Sequence, residues 1–252
     1  MSIILFAVIA ALTAGNAFAL RAIDPVEPTG NWQKTWWPKR FAEKLELAKA
    51  GGAPVVFLGD SITHNWERHG KEVWAKHFAE GELRALNLGF GADRTEHVLW
   101  RIDHGHFDGY EAKAIVLMIG TNNTGHFPFE KEPPVDTVLG IREILRVIAK
   151  KQPNARTILM SIFPRGGDAG DANRRRNDVV NREIAKFADG KRVIWCDFSD
   201  KFLTADGRLS TELFPDLLHP NKRGYEIWAS AVVPLIDRIL AAKEGESIAS
   251  LW

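Results

Sequence analysis

Five short runs rich in Val, Ile, Leu or Phe recur along the chain, at Val55 to Leu58, Ala85 to Leu88, Ala114 to Ile119, Thr157 to Ile162 and Arg192 to Cys196. Each predicts a strand buried on both faces, as strands of a parallel sheet are. The segments between them carry helical spacing. Val138, Ile141, Leu145 and Ile148 follow the breaker Pro133-Pro134, and Tyr225, Trp228, Val232, Leu235 and Ile239 form one stripe with a bend expected at Pro234. Ahead of the first run, Phe41, Leu45 and Ala48 share the face of a helix expected to end at Gly51-Gly52. Strands alternating with helices imply an α/β domain, a five-stranded parallel sheet with helices on both faces.

A length of 252 residues suits one such domain with an attached segment. Residues 1–19 carry no charged side chain, hold the apolar run Ile3 to Ala11 and end in Ala17-Phe18-Ala19. They read as a secretory signal peptide cleaved after Ala19, although the n-region lacks the usual Lys or Arg; an uncleaved anchor or a buried first helix is the second reading. Residues 20–52 form a Trp-rich segment and helix packed on the body, 53–243 the α/β domain itself, and 244–252 a terminal tail that Leu251 and Trp252 could dock. No later stretch is apolar enough to cross a bilayer, so the mature chain is expected to be secreted or periplasmic without stable membrane insertion. The formal net charge of +1 gives no general field to gather nucleic acid or anionic lipid, and neither is an expected partner. Cys196, the single cysteine, sits in an apolar run and reads as a buried structural thiol.

The first strand leads into Gly59-Asp60-Ser61, where the chain leaves the sheet with a hydroxyl at the turn. Near the other end, Asp216-Leu217-Leu218-His219 places a carboxylate and an imidazole three residues apart, a spacing that lets one orient the other as a base. Two further loops, Asn87 to Asp93 and Gly120-Thr121-Asn122-Asn123, follow the second and third strands. They supply backbone and amide donors of the kind an oxyanion needs, or equally the Gly and Asn of ordinary turns. Taken singly, each piece is a turn or a cap. Together they converge on the carboxyl edge of the sheet, where open parallel sheets bind ligands.

These four blocks, in this order, resemble the motif blocks of SGNH (GDSL-type) hydrolases over roughly Ala53 to Leu240. The segments Arg94 to Arg101 and Phe163 to Gly166 resemble the branch that contains the catalytic subunits of platelet-activating-factor acetylhydrolase Ib. The resemblance implies a three-layer flavodoxin-like fold and ester hydrolysis without a metal or other cofactor. Carried over by motif, Ser61 is the nucleophile, His219 its base and Asp216 the orienting acid. The Ser61 N–H, the Asn122 side chain and the Ala92 N–H are the implied oxyanion donors. At position 92 the family usually has Gly, so an alanine there serves if its φ is negative. The branch also implies a capacity to form homodimers.

The histidines His64, His69, His97, His104, His106 and His126 complete no metal-ligand spacing, and solvated or capping roles are expected for them. Arg174 to Arg176 read as the solvated start of a helix. Nine tryptophans are present, and Trp32, Trp36 and Trp37 either line the crevice or pin the N-terminal segment to the body, the second being favoured because large aromatics dominate core burial. The leading function is hydrolysis of short-chain, chiefly acetyl, esters of a small molecule or glycan through an acyl-enzyme. The alternatives are a lysophospholipase or thioesterase, and a catalytically silent glycan-binding module.

Overall fold

The computed structural model describes residues 22–125, 132–243 and 246. The signal-peptide expectation for 1–19, His126 and most of the tail, including Leu251 and Trp252, lie outside them. Strands β1 (Val55–Gly59), β2 (Ala85–Gly89), β3 (Ala114–Met118), β4 (Arg156–Met160) and β5 (Val193–Cys196) form one sheet in the order β2-β1-β3-β4-β5, with all pairs parallel. The principal helices are α1 (Trp37–Lys49), α2 (Ser61–His64), α3 (Lys71–His77), α4 (Thr95–Arg101), α5 (Thr121–Gly125), α6 (Pro134–Lys151), α7 (Ala172–Ile184) and α8 (Lys222–Ala241).

Alternate strand residues feed two separate cores, which makes the sheet the middle of three layers. Val55, Phe57, Val116, Ile158 and Cys196 share a core with Trp66 of the turn that follows α2, Val73 of α3, and Tyr225, Trp228 and Leu235 of α8. Val56, Leu58, Ile115, Leu117 and Leu159 face Ala48 of α1, Val98 of α4, Ile141, Ile144 and Ile148 of α6, and Val180 of α7. This two-sided burial accounts for the apolar runs in the sequence. Burial also pushes the Cys196 thiol up to about 12, so it is an inert core group.

In α1 the face differs from the expected one. Phe41 and Leu45 are only half-buried, whereas Trp37, Arg40, Lys44 and Ala48 are buried. Arg40 and Lys44 both bind the Glu67 carboxylate, at 2.7 Å each, so the helix docks through paired charge as well as apolar surface. Pro234 lies inside α8, which runs on to Ala241.

Candidate active site

The strand order sets the carboxyl ends of β2, β1 and β3 side by side, and the chain reverses its winding direction beside β1. Asp60 follows β1 as the cap of α2 and accepts the Ile62 N–H at 2.9 Å. Its carboxyl is fully buried, and that burial pushes its pKa up to about 7. Ser61, the first helical residue, thereby stands at the rim of the sheet with its hydroxyl outward. The Tyr225 hydroxyl donates to the Ile62 carbonyl at 2.6 Å and fixes this turn to α8.

Ser61 Oγ lies 3.0 Å from His219 Nε2, and His219 Nδ1 lies 2.6 Å from Asp216 Oδ2. The second oxygen of Asp216 accepts the backbone N–H groups of Leu218 and His219, at 3.0 and 2.7 Å. Against the opposing pull of partial burial, those N–H groups and the imidazole hold the Asp216 carboxyl below its ordinary range. A carboxylate on Nδ1 keeps the proton there and leaves the Nε2 lone pair facing the serine hydroxyl.

The turn carrying this pair is strained at Leu217, whose φ is 59°, and it is braced from outside. The Leu217 carbonyl accepts the Gly166 N–H at 3.0 Å. Gly166 itself has φ 73°, and a Cβ there would lie 2.4 Å from Asp171 Cγ, so only glycine fits. Its neighbour Arg165 donates to the Thr121 carbonyl at 3.2 Å and to the Thr121 hydroxyl at 3.1 Å. The Phe163 to Gly166 segment therefore links the His219 turn to α5.

Asn122, on α5, donates from Nδ2 to the Asp93 carbonyl at 2.8 Å, which leaves its second amide hydrogen available. Ser61, Ala92, Asn122 and His219 line one cavity of about 730 Å³. Ala92 departs from expectation: its φ is 58°, in the left-handed region rather than negative. The turn itself demands that conformation, since Gly91 N–H donates to His64 Nδ1 at 3.3 Å and Asp93 N–H to the Phe90 carbonyl at 3.2 Å. Between these tied groups, the Ala92 N–H has no protein acceptor among the described residues. His64 serves as the acceptor because burial, reinforced by Arg40, lowers its pKa to about 4 and keeps the ring neutral. Asp93 anchors the far side of the turn through Arg101 at 2.7 Å and the Trp37 indole N–H at 3.3 Å.

Trp32, Trp36, His64 and Arg68 also line this cavity; the sequence reading offered it for the two tryptophans only as the less favoured alternative and did not offer it for His64 or Arg68. The three N-terminal tryptophans divide their work. Trp37 is buried and stacks on Phe41 at 5.3 Å, so it pins the segment as expected, whereas Trp32 and Trp36 face the crevice. The four-residue spacing of Trp32 and Trp36 was the available signal, since it sets both on one side of a helical turn. Two solvation expectations are corrected. His106 is buried, contacting Arg101 and stacking on Phe41, and Arg174 is buried with its guanidinium on the Gly207 carbonyl.

Residues 57–227 match the GDSL-like Lipase/Acylhydrolase family. The platelet-activating factor acetylhydrolase IB subunit alpha1 of Bos taurus is 34% identical over 200 residues, covering 78% of this chain and 81% of the relative. The alpha2 subunit of Rattus norvegicus is 32% identical over 190 residues, covering 74% and 77%. In fold, the chain is similar to a GDSL-like lipase from Bacteroides thetaiotaomicron, with a TM-score of 0.64 and 18% identity over 79% of this chain and 97% of that one. An acetylxylan esterase from Geobacillus stearothermophilus superposes with a TM-score of 0.57 and 20% identity over 75% and 96%. The chain is a carboxylic-ester hydrolase of the α/β SGNH fold and belongs to the GDSL-like lipase/acylhydrolase family.

Proposed function

We propose that the chain hydrolyses short-chain acyl esters, acetyl esters above all, with Ser61 as nucleophile, His219 as general base and Asp216 as its orienting acid. The observation that carries this reading is the unbroken line of contacts from Ser61 Oγ through His219 to Asp216, at 3.0 and 2.6 Å. Ser61 Oγ attacks the ester carbonyl carbon as its proton passes to Nε2, and the carbonyl electron pair moves onto oxygen. The N–H groups of Ser61 and Ala92 and the Asn122 amide stabilise that oxyanion. Collapse breaks the bond to the alcohol oxygen, which takes the proton back from Nε2. Water then repeats the cycle on the acyl-serine and frees the acid. The acetylhydrolase name of relatives at about one-third identity supports acetyl as the acyl group.

The test is Ser61→Ala, assayed on p-nitrophenyl acetate, propionate, butyrate and octanoate. We expect a loss on the order of 10⁴-fold or more in kcat with an unchanged melting temperature. A fluorophosphonate should phosphonylate Ser61 of the wild type, its fluoride leaving with the hydroxyl proton, so that the Ser61 peptide gains the mass of the reagent less HF. Turnover by Ser61→Ala near the wild-type rate would overturn the assignment, and a wild type that prefers octanoate would overturn the acyl size.

A further inference from the structure

Part of the cavity wall is aromatic, formed by Trp32 and Trp36. Trp32 is 43% exposed in the cavity that Ser61 also lines, although an indole of that size ordinarily finds burial. Its ring centroid lies 5.7 Å from that of Trp36, with the planes tilted by 32°. Trp36 continues inward to the His64 ring, at 5.6 Å, three residues after Ser61. It lies over Gly91 in the oxyanion turn, where an added Cβ would sit 3.4 Å from its Cζ2. Two rings thus make an aromatic surface that runs from the exposed Trp32 to His64 and the oxyanion turn, within the cavity that Ser61 lines. Trp37 already holds the segment down, so neither is needed for that.

The rim around this surface is polar and mainly cationic. Lys39, Glu43 and Arg68 line the same cavity, and none of the three forms an ion pair among the described residues. Such a rim disfavours a cationic alcohol, which an aromatic wall alone would welcome. It also disfavours a long alkyl chain, whose burial would desolvate these charges without replacing their hydrogen bonds. A pyranose satisfies both parts. Its axial C–H face lies on the negative face of an indole, while its equatorial oxygens reach the surrounding donors and acceptors.

We propose that Trp32 and Trp36 form the subsite for the alcohol half of the substrate, and that this alcohol is a neutral or anionic pyranose bearing an O-acetyl group. The assignment rests on the catalytic reading of Ser61 and extends it to the substrate class. Trp32 and Trp36 hold the sugar ring, Lys39, Glu43 and Arg68 bond its free hydroxyls, and the acetyl carbonyl reaches the Ser61 hydroxyl.

The experiment compares kcat/KM for methyl 4-O-acetyl-β-xylopyranoside, whose other two ring hydroxyls are free, hexyl acetate, acetylcholine and ethyl acetate in the wild type, Trp32→Ala, Trp36→Ala and Trp36→Leu. We expect the wild type to prefer the xyloside, and each variant to lower the ratio of xyloside to ethyl acetate rates about tenfold or more, mostly through KM. Trp36→Leu keeps apolar bulk without the π face, so a lowered ratio there excludes simple collapse of the segment. Quenching of indole fluorescence by the intact xyloside in Ser61→Ala, absent from Ser61→Ala/Trp32→Ala, would show the same subsite without turnover. An equal loss on all four esters, or a wild type that prefers hexyl acetate or acetylcholine, would overturn the subsite and leave the catalytic assignment standing. Undiminished activity of Ser61→Ala would instead overturn the catalytic assignment alone, because the xyloside ratios of the tryptophan variants would still report the wall.

Discussion

Ala92 concentrates the residue-scale argument, because one backbone angle decides what its side chain costs. With φ at 58°, an alanine carries a strain of about 1 kcal/mol that glycine would not. Ala92→Gly should therefore raise stability by about that amount in urea unfolding while retaining the N–H donor, with kcat changed only a few-fold. Ala92→Val places a β-branched residue in the same region and should lose stability by more than the glycine gains. Equal unfolding midpoints for the three proteins would contradict the left-handed turn. Glycine's usual presence at this position in the family was the sequence signal for a positive φ, and the presence of Gly91 next to it did not replace it. Asp216 offers a second test at this scale. In Asp216→Asn the amide cannot accept the Nδ1 proton as the carboxylate does, and kcat should fall on the order of 10⁴-fold if the triad works as in other serine hydrolases. A few-fold loss would mean that another group orients His219. The Asp216–His219 pairing was legible from the three-residue spacing, whereas the Trp32–Trp36 wall needed the long-range fold of the N-terminal segment over the oxyanion turn.

At the scale of elements, the strands were legible because each is buried on both faces, so the apolar run and the strand nearly coincide. Thr157 to Ile162 against the observed Arg156–Met160 shows the remaining uncertainty of a boundary set by hydrogen bonding rather than side-chain character. The face of α1 was not legible. Arg40 and Lys44 look solvated in sequence, and only the fold brings Glu67 within 2.7 Å of each. The same limit hid the bracing of the His219 turn, which joins the loop after β4, α5 and the approach to α8. Gly166→Ala tests that brace. A side chain at φ 73° that also meets Asp171 should cost about 1 kcal/mol or more, lowering the melting temperature by about 2–4 °C. The Leu217 carbonyl would lose its alignment with the Gly166 N–H, so kcat should fall while KM moves little. Loss of stability with full kcat would show that the brace holds the loop without setting the position of His219.

Across the whole molecule, the groups that join the N-terminal helix to the body are buried and ionisable, which ties docking to pH. His106 sits at that junction. Its Nδ1 lies 3.2 Å from an Arg101 nitrogen, its Nε2 lies 3.3 Å from the Phe41 carbonyl, and its ring stacks on Phe41 at 4.6 Å. Burial, aided by the Arg101 charge, lowers its pKa from 6.5 to about 3. Between those values the unfolded chain binds a proton that the folded chain does not. The contribution of His106 is thus fully present above about pH 6.5 and is lost as the pH falls towards 3, at up to about 1.4 kcal/mol per pH unit. His64 acts in the same direction. Asp60 acts in the opposite one, because its folded pKa is raised to about 7 and its contribution is lost as the pH rises through that value. A single wild-type stability curve would mix these slopes, and a difference curve separates them. His106→Gln retains a group that can accept from Arg101 and another that can donate to Phe41, but it does not titrate. Measured by urea unfolding between pH 4 and 8, the wild type should lose stability relative to this variant below pH 6.5, and the difference should be flat above it. Parallel curves across the whole range would show that His106 takes up its proton in the folded protein as readily as in the unfolded chain, and that the helix docks independently of it.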